Sequence, residues 1–168
     1  MAEISGAMPE GAHGGNIYKA SKLYGIERGK FLDYSANINP LGLPYNLKEL
    51  LKEEIDNLVN YPDPECTELK EEISRYLDVR EDWVIIGNGA SDVIFLLFDV
   101  LRLRRVLVPA PTFIEYAKAA QAYGTDVEYF ELKEEESFRL DISRLLSNMG
   151  AGIDAVFLCN PNNPTSTL

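Results

Sequence analysis

"VLVPAPTFIEYAKAAQAYGTDVEYF" (106–130) contains the pattern that decides the fold. The apolar runs VLVP (106–109) and VEYF (127–130) predict two short buried strands. The segment FIEYAKAAQAY between them predicts a helix, and Gly124 marks its end. A strand, a helix and a second strand in this order predict a parallel pair covered by the helix.

The same alternation continues on both sides of this stretch. Upstream, VII (84–86) predicts a strand, and the run VIFLLFDVL after it predicts an apolar helix. Downstream, DISRLLSNM predicts a helix capped by Asp141, and AVFL (155–158) predicts a fourth strand. The strand cores are uninterrupted apolar runs, which is typical of a sheet covered on both faces. Residues 81–168 are therefore predicted to form a three-layer α/β domain with a parallel-rich sheet and flanking helices.

Residues 1–80 predict an N-terminal arm followed by a helical segment. The first residues are small and Gly-rich, and the segment IYKASKLYG predicts a short helix that ends at Gly25. The stretch FLDYSANINPLGLP is broken by prolines and glycines and predicts an extended segment. Two helices are predicted after it, the first opened by Asn46 with Glu49 in a capping box.

Composition limits the classes of ligand. The chain has 168 residues, with Lys+Arg 16 against Asp+Glu 27, which gives a net charge of -11. This charge predicts that the chain binds neither nucleic acid nor an anionic membrane, so a phosphate ligand would need local backbone N–H groups. Cys66, Cys159 and the single histidine have no metal-site spacing, so neither a zinc site nor a disulfide framework is expected. The sequence shows neither a leader pattern nor a membrane-spanning apolar run, and the expected location is the cytoplasm.

Three polar turns follow predicted strands, at the edge where parallel sheets bind their ligands. GNGASD (87–92) is a Gly-rich turn that opens a helix, and exposed N–H groups in such a turn suit a phosphate. The alternative is a tight turn in which Ser91 or Asp92 caps the helix. In PTFIEY, Phe113 would stack on a planar ring or, alternatively, belong to the core under the next helix, and Tyr116 has the same two interpretations.

The last turn, CNPNNPTS, combines three asparagines with two Asn-Pro steps. These steps predict a rigid, non-helical turn that offers an amide to a ring hydroxyl or oxyanion; the alternative is a simple Asn/Pro turn. His13 in HGGN is the single imidazole, and it is either merely exposed or part of an arm that folds over a ligand on its glycines. Together the three turns describe a site for a flat, phosphorylated ring.

The order HGGN, DYSANINPLG, NYPDPE, GNGASD, PTFIEY and CNPNNPT resembles the N-terminal half of fold-type I pyridoxal-phosphate enzymes. The nearest resemblance is to the histidinol-phosphate aminotransferase and threonine-phosphate decarboxylase family, and AHGGN with DYSANINPLG favours the decarboxylase. The resemblance implies that the cofactor is pyridoxal 5'-phosphate. It further implies that Gly89, Ala90 and Ser91 bind the cofactor phosphate, that Phe113 stacks on its ring, and that Asn163 bonds its phenolic oxygen.

The resemblance also assigns residues to the substrate and to a second subunit. Tyr61 in NYPDPE corresponds to a tyrosine that reaches the cofactor phosphate of the opposite subunit, so a homodimer is implied. His13 and Asn37 correspond to residues that meet a small phosphorylated amino-acid substrate. Ser166 stands where the family usually has glycine, and this difference is expected to alter only the turn.

The resemblance implies decarboxylation of L-threonine O-3-phosphate to aminopropanol phosphate in cobalamin biosynthesis. The alternative within the family is a histidinol-phosphate-type aminotransferase. An alternative of another class is a non-catalytic α/β module, or an inactive fragment, that binds a phosphorylated ligand. The family's cofactor-bound lysine, its Asp and its Arg lie beyond the matched motifs, so no catalytic lysine is assigned. The chain is therefore expected to be the N-terminal half of an enzyme and inactive alone.

Overall fold

The computed structural model describes residues 14–168, which divide into two compact units between Pro64 and Glu65. The first unit contains two α-helices and two 3-10 helices among its described residues: α1 Ile17–Tyr24, Arg28–Lys30, α2 Tyr45–Glu53 and Glu54–Val59. The second unit contains the elements α3 Thr67–Leu77, the 3-10 turn Glu81–Trp83, α4 Ala90–Leu101, β1 Arg105–Ala110, α5 Glu115–Tyr123, β2 Asp126–Glu131, the 3-10 turn Glu134–Glu136, α6 Ile142–Asn148 and β3 Ala155–Val156. The compact unit thus begins before α3, whereas the proposed extent of the large domain, 81–168, stays a prediction.

Within the described residues, the three strands form one parallel sheet in the order β2-β1-β3. Val106 of β1 is in register with Val127 of β2 on one side and with Ala155 of β3 on the other. The connection through α5 leads from β1 to its neighbour β2, and the connection through α6 then crosses β1 to reach β3. This reversal makes the β1–β3 boundary the switch point of the sheet, where ligands of open α/β folds bind.

The two faces of β1 are covered by different helices. Val106 and Val108 are almost fully buried and pack in one core cluster with side chains of α4 and α5. Leu107, which points to the opposite face, packs in a second cluster that contains Leu145 of α6. The helices α4 and α5, the sheet and α6 therefore form three layers, which confirms the predicted α/β class.

Several predicted helix ends are confirmed. α1 and α5 both end at a glycine in the left-handed region, Gly25 at φ +65° and Gly124 at φ +66°. α6 is capped by Asp141, whose side chain accepts a hydrogen bond from the N–H of Arg144 at 2.9 Å. The predicted capping box of α2 is wrong, because Pro44 occupies the N-cap without a side-chain bond and Asn46 lies inside the helix.

Two strand predictions need correction. Residues 84–86 lie outside the sheet, which among the described residues contains β2, β1 and β3; Val84 has an extended backbone, but the segment has no strand pairing. The run AVFL forms a strand only over Ala155–Val156. One further bond, from the N–H of Phe157 to the carbonyl of Leu107 (3.0 Å), continues the pairing beyond that strand. Over the described part of the chain, every helix is too short or too polar to cross a bilayer.

Candidate cofactor site

The start of α4 is an open helix end preceded by a glycine-rich turn. Gly89 precedes the helix at φ +88°, a conformation that suits glycine. The first helical bond runs from the N–H of Val93 to the carbonyl of Gly89 (3.5 Å), so the N–H groups of Ala90, Ser91 and Asp92 lie at the free end of the helix. Such a group of donors, together with the positive end of the helix dipole, is suited to a phosphate.

Asp92 closes this turn, whereas Ser91 does not cap the helix. The carboxylate of Asp92 accepts a hydrogen bond from the N–H of Asn88 at 2.9 Å. Gly87 lies close to the same residues, because a Cβ at this position would sit 2.7 Å from Cγ2 of Val93. The turn is therefore shaped by Asp92 and Gly87, and the half-buried Ser91 makes no capping bond to the backbone.

The direction of α4 places this helix end at the carboxyl edge of the sheet. Ile94 and Phe98 pack in the same cluster as Val106 and Val108, and a short connection joins α4 to β1. The helix therefore runs back along the strand. The 12 residues of α4 span about 18 Å and the 6 residues of β1 about 20 Å. The start of α4 thus lies toward the end of β1 that leads to Phe113.

Phe113 lies at the margin of the core and is half-buried. Its ring packs edge-on against Tyr116 with the centroids 5.8 Å apart, and a row of aromatic rings continues from there to Phe157 (5.2 Å) and Phe98 (4.9 Å). Tyr116 itself is buried, so the core interpretation holds for this residue. Burial raises the pKa of the Tyr116 phenol to about 12, with a smaller contribution from the neighbouring thiol of Cys159.

The last turn is held by the side chain of Asn162, which is 8% exposed. Its Oδ1 accepts a hydrogen bond from Oγ1 of Thr112 at 2.8 Å. Its Nδ2 donates to the carbonyl of Pro111 at 3.0 Å and to Oγ1 of Thr165 at 2.8 Å. The amide therefore uses its oxygen and both of its N–H groups, and it joins the end of β1 to the turn after β3.

Asn163 follows in the same turn and is half-buried. Ser166, two residues beyond Pro164, adopts a φ of +58°, and its N–H donates to the carbonyl of Asn162 at 2.6 Å. A positive φ is natural for glycine and disfavoured for serine, so the structure gives a physical reason for the glycine that the resemblance led us to expect here.

The remaining predicted residues belong to the first unit. Asn37 is exposed and the side chain of Tyr61 is fully exposed, whereas His13 lies outside the described residues. The glycines after His13 are packed tightly: a Cβ on Gly14 would lie 1.5 Å from the carbonyl oxygen of Ser35. Gly14 and the DYSAN segment therefore meet backbone to backbone.

The loop with Phe113 and the turn with Asn163 are thus joined at one edge of the sheet, and the direction of α4 places its start toward the same edge. The structure also shows a residue that the sequence analysis did not single out, the buried amide of Asn162. Three asparagines in one turn indicated a polar site, but nothing in the sequence distinguished the buried asparagine from its exposed or half-buried neighbours.

Comparison with known proteins identifies the family. The family model described as aminotransferase class I and II matches residues 30–168. The chain belongs to this family. A threonine-phosphate decarboxylase from Salmonella typhimurium is 36% identical over 162 residues, which are 96% of this chain and 44% of that protein. The chain thus spans less than half the length of this relative.

Solved structures share the fold of the family. The histidinol-phosphate aminotransferase from Clostridium acetobutylicum matches with a TM-score of 0.70 and 36% identity, over 80% of this chain and 39% of that chain. The enzyme of the same name from Sinorhizobium meliloti, solved in complex with pyridoxal-5'-phosphate, matches with a TM-score of 0.70 and 20% identity. That match covers 77% of this chain and 35% of the other and shows the common fold.

The residues at the sheet edge fit this cofactor chemically. The helix end offers N–H donors to a phosphate, and beside Gly89 the position of a Cβ meets no residue other than its chain neighbours within 4 Å. The ring of Phe113 and the amide of Asn163 belong to the two segments that Asn162 joins. A phosphorylated aromatic ring has the groups that these residues recognise.

Proposed function

We propose that this chain supplies the cofactor-binding N-terminal part of a pyridoxal-phosphate enzyme that decarboxylates L-threonine O-3-phosphate to aminopropanol phosphate, a reaction of cobalamin biosynthesis. One observation carries the proposal. An open helix end, an edge-of-core aromatic ring and a rigid asparagine turn lie at the same switch-point edge of a parallel sheet. The similarity to the Salmonella decarboxylase over 96% of this chain supports it.

In this proposal each segment has one task toward the cofactor. The N–H groups of Ala90 and Ser91, after Gly89, hold the phosphate, and the Ser91 hydroxyl adds a donor. Phe113 supports one face of the ring, and the amide of Asn163 donates to the phenolic oxygen. When bound, the cofactor acts as an electron sink for the negative charge left at the substrate Cα. These residues keep the ring fixed while that charge develops.

The first unit would provide the substrate contacts. Gly14 and Gly15, which follow His13 in the sequence, lie against Ser35 of the DYSAN segment. We propose that His13 and Asn37, one in each segment, meet the phosphate and carboxylate of the substrate. The N–H of Gly15 donates to Oγ of Ser35 at 2.8 Å, which supports a defined arrangement of the two segments.

We further propose that the enzyme is a homodimer. The side chain of Tyr61 is 100% exposed in a single chain, although its ring is large and mostly apolar. An exposed tyrosine of this kind is free to reach the cofactor phosphate in an opposite subunit, where its hydroxyl would add one more donor. Size-exclusion chromatography with light scattering tests the dimer, and a monomer that binds the cofactor normally would contradict the role of Tyr61.

The second candidate within the family is an aminotransferase of the histidinol-phosphate type. The structure from Clostridium acetobutylicum favours it, because its TM-score of 0.70 and identity of 36% exceed the values of 0.60 and 26% for the decarboxylase structure from Porphyromonas gingivalis. An aminotransferase would use the same edge for the cofactor. The two candidates differ in which bond at the substrate Cα breaks.

The test uses the complete protein in which this sequence occurs, with pyridoxal 5'-phosphate and L-threonine O-3-phosphate. We expect release of CO2 and formation of aminopropanol phosphate, followed by mass spectrometry. A parallel reaction with histidinol phosphate and 2-oxoglutarate measures glutamate. Glutamate without CO2 would replace the decarboxylase by the aminotransferase. Cofactor binding without either product would favour the non-catalytic module.

The 168-residue chain alone serves as the matched control. We propose that it is inactive, because none of its lysines stands in the family's sequence context for the cofactor-bound lysine. Turnover by this chain at a rate similar to the complete protein would contradict that proposal. Assays of cofactor binding and of turnover on this chain need no substitution, and together they separate binding from catalysis.

A further inference from the structure

We infer that Asn162 is a positioning residue that fixes the Asn163 turn against the Phe113 loop; the inference rests on the proposed function of that edge. Asn162 is 8% exposed and is the only buried asparagine among the described residues. Its partners lie on both sides of the switch point, at Thr112 and Pro111 after β1 and at Thr165 in its own turn.

The bonding pattern fixes the orientation of the amide. Nδ2 faces the carbonyl of Pro111, which can only accept, so an exchange of nitrogen and oxygen would place two acceptors together. Oδ1 is then the atom that receives the hydroxyl of Thr112. The side chain thus has one way to bind, and the backbone on either side of it is held in one position.

The backbone of Asn162 is also held at both of its polar groups. Its N–H donates to the carbonyl of Thr167 at 2.8 Å, and its carbonyl accepts from Ser166. Asn163 is the next residue, and Thr112 directly precedes Phe113. The proposed ring contacts, Phe113 and Asn163, are therefore each one peptide bond away from a partner in the same hydrogen bond.

Only two residue pairs join β1 and β3, so backbone pairing alone holds the carboxyl end of β3 weakly. The side-chain bond between Asn162 and Thr112 connects residues 50 positions apart in the sequence. Loss of this bond is expected to leave the fold in place while the amide of Asn163 becomes less well oriented for the cofactor.

The test measures binding of pyridoxamine 5'-phosphate to the complete protein freed of cofactor. This probe carries an amine in place of the aldehyde, so it forms no bond to a lysine and its Kd reports non-covalent contacts alone. We expect Asn162→Asp and Thr112→Val to weaken binding about tenfold, the loss typical of one buried hydrogen bond. Thr112→Ser, which keeps the hydroxyl, should bind within about twofold of wild type.

A double-mutant cycle with Asn163→Ala distinguishes positioning from general stability. Thr112→Val should weaken binding much less in the Asn163→Ala background, because the residue being positioned is already gone. Thr125→Val is the matched control, since it removes another buried threonine bond, to the carbonyl of Leu103 (2.7 Å), at the opposite end of the sheet. It should lower the thermal midpoint without changing Kd.

The outcomes are separable. Folded Asn162→Asp and Thr112→Val proteins with wild-type Kd would overturn the positioning role while leaving the proposed function intact. Equal losses in the two backgrounds of the cycle would overturn it as well. A wild-type protein that does not bind the probe would refute both proposals together.

Discussion

The β1–β3 pair is held by a polar side chain at each end, and the two ends are built differently. At the amino end, Oδ2 of Asp154 accepts hydrogen bonds from the N–H groups of Arg104 (2.7 Å) and Arg105 (3.1 Å). At the carboxyl end, the amide of Asn162 binds Thr112 and Pro111. The first side chain is charged and exposed, whereas the second is neutral and buried.

The difference shows how a two-residue strand is kept in register. An exposed carboxylate can exchange its backbone partners for water, so its loss leaves few groups unsatisfied. The amide of Asn162 is itself buried, and its loss removes bonds to a carbonyl and to two hydroxyl groups at once. We therefore expect the carboxyl end of the β1–β3 pair, which holds the candidate site, to be the more rigid of the two ends.

The largest effect is expected at the buried end. Asn162→Ala should lower the free energy of unfolding by about 3 kcal/mol, because it removes three side-chain hydrogen bonds, to Thr112, Pro111 and Thr165, each worth about 1 kcal/mol. Equilibrium urea unfolding measures the change, and Thr125→Val, which deletes one buried hydrogen bond elsewhere, should cost about 1 kcal/mol. A smaller loss for Asn162→Ala than for the control would contradict the assignment of the rigid end.

The exposed end should respond in the same direction but less strongly. Asp154→Ala removes the acceptor for Arg104 and Arg105, and water then takes its place because the carboxylate is solvent-accessible. We expect a loss of stability that is clearly below that of Asn162→Ala in the same urea experiment. An equal or greater loss would mean that the amino end, rather than the carboxyl end, fixes β3.

Much of this arrangement could be predicted from the sequence, and the successes share a cause. The strands around α5, its end at Gly124 and the cap of α6 at Asp141 are local features, and residues within a few positions determine them. The turns after β1 and β3 followed from the alternation alone, whereas the turn 87–92 follows a segment that is not a strand of the sheet. These features need no knowledge of which strands become neighbours.

The features that the sequence left open depend on distant partners. The segment 84–86 has the composition of a strand, yet it lies outside the three-stranded sheet, and composition does not reveal which segments pair. Asn162 and Asn163 are chemically identical in the sequence, and only the position of Thr112, 50 residues away, makes one of them the buried partner. The register of β3 against β1 could not be predicted either, because it also depends on residues that are distant in the sequence.

The contribution of Asp154 to stability at the amino end of the β1–β3 pair should depend on pH. The N–H groups of Arg104 and Arg105 hold the pKa of Asp154 below its ordinary value of 3.8. A carboxyl with a lowered folded pKa stabilises the fold fully above its unfolded pKa, and this contribution is lost as pH falls through the folded pKa. Wild type should therefore be more stable than Asp154→Asn at neutral pH, and the difference should shrink below about pH 4.

Urea unfolding of the two proteins at a series of pH values measures that difference. Other acids, including Asp33, whose pKa is also lowered by its bonds to Ser35, are present in both proteins and cancel. A difference that stays constant down to the lowest pH would show that the charge of Asp154 is not what stabilises the amino end.

The smallest effect is expected at Ser166, which completes the buried end. Its φ of +58° is disfavoured for serine, and Ser166→Gly should relieve this cost, offset in part by the greater freedom of glycine in the unfolded chain. The net gain in the free energy of unfolding is expected to be about 0.5 kcal/mol. The N–H that donates to the carbonyl of Asn162 is kept, so cofactor binding should not weaken. Ser166→Ala keeps the strain without the hydroxyl and should show no gain; if both variants were stabilised equally, the side-chain hydroxyl rather than the backbone conformation would be the source of the cost at this position.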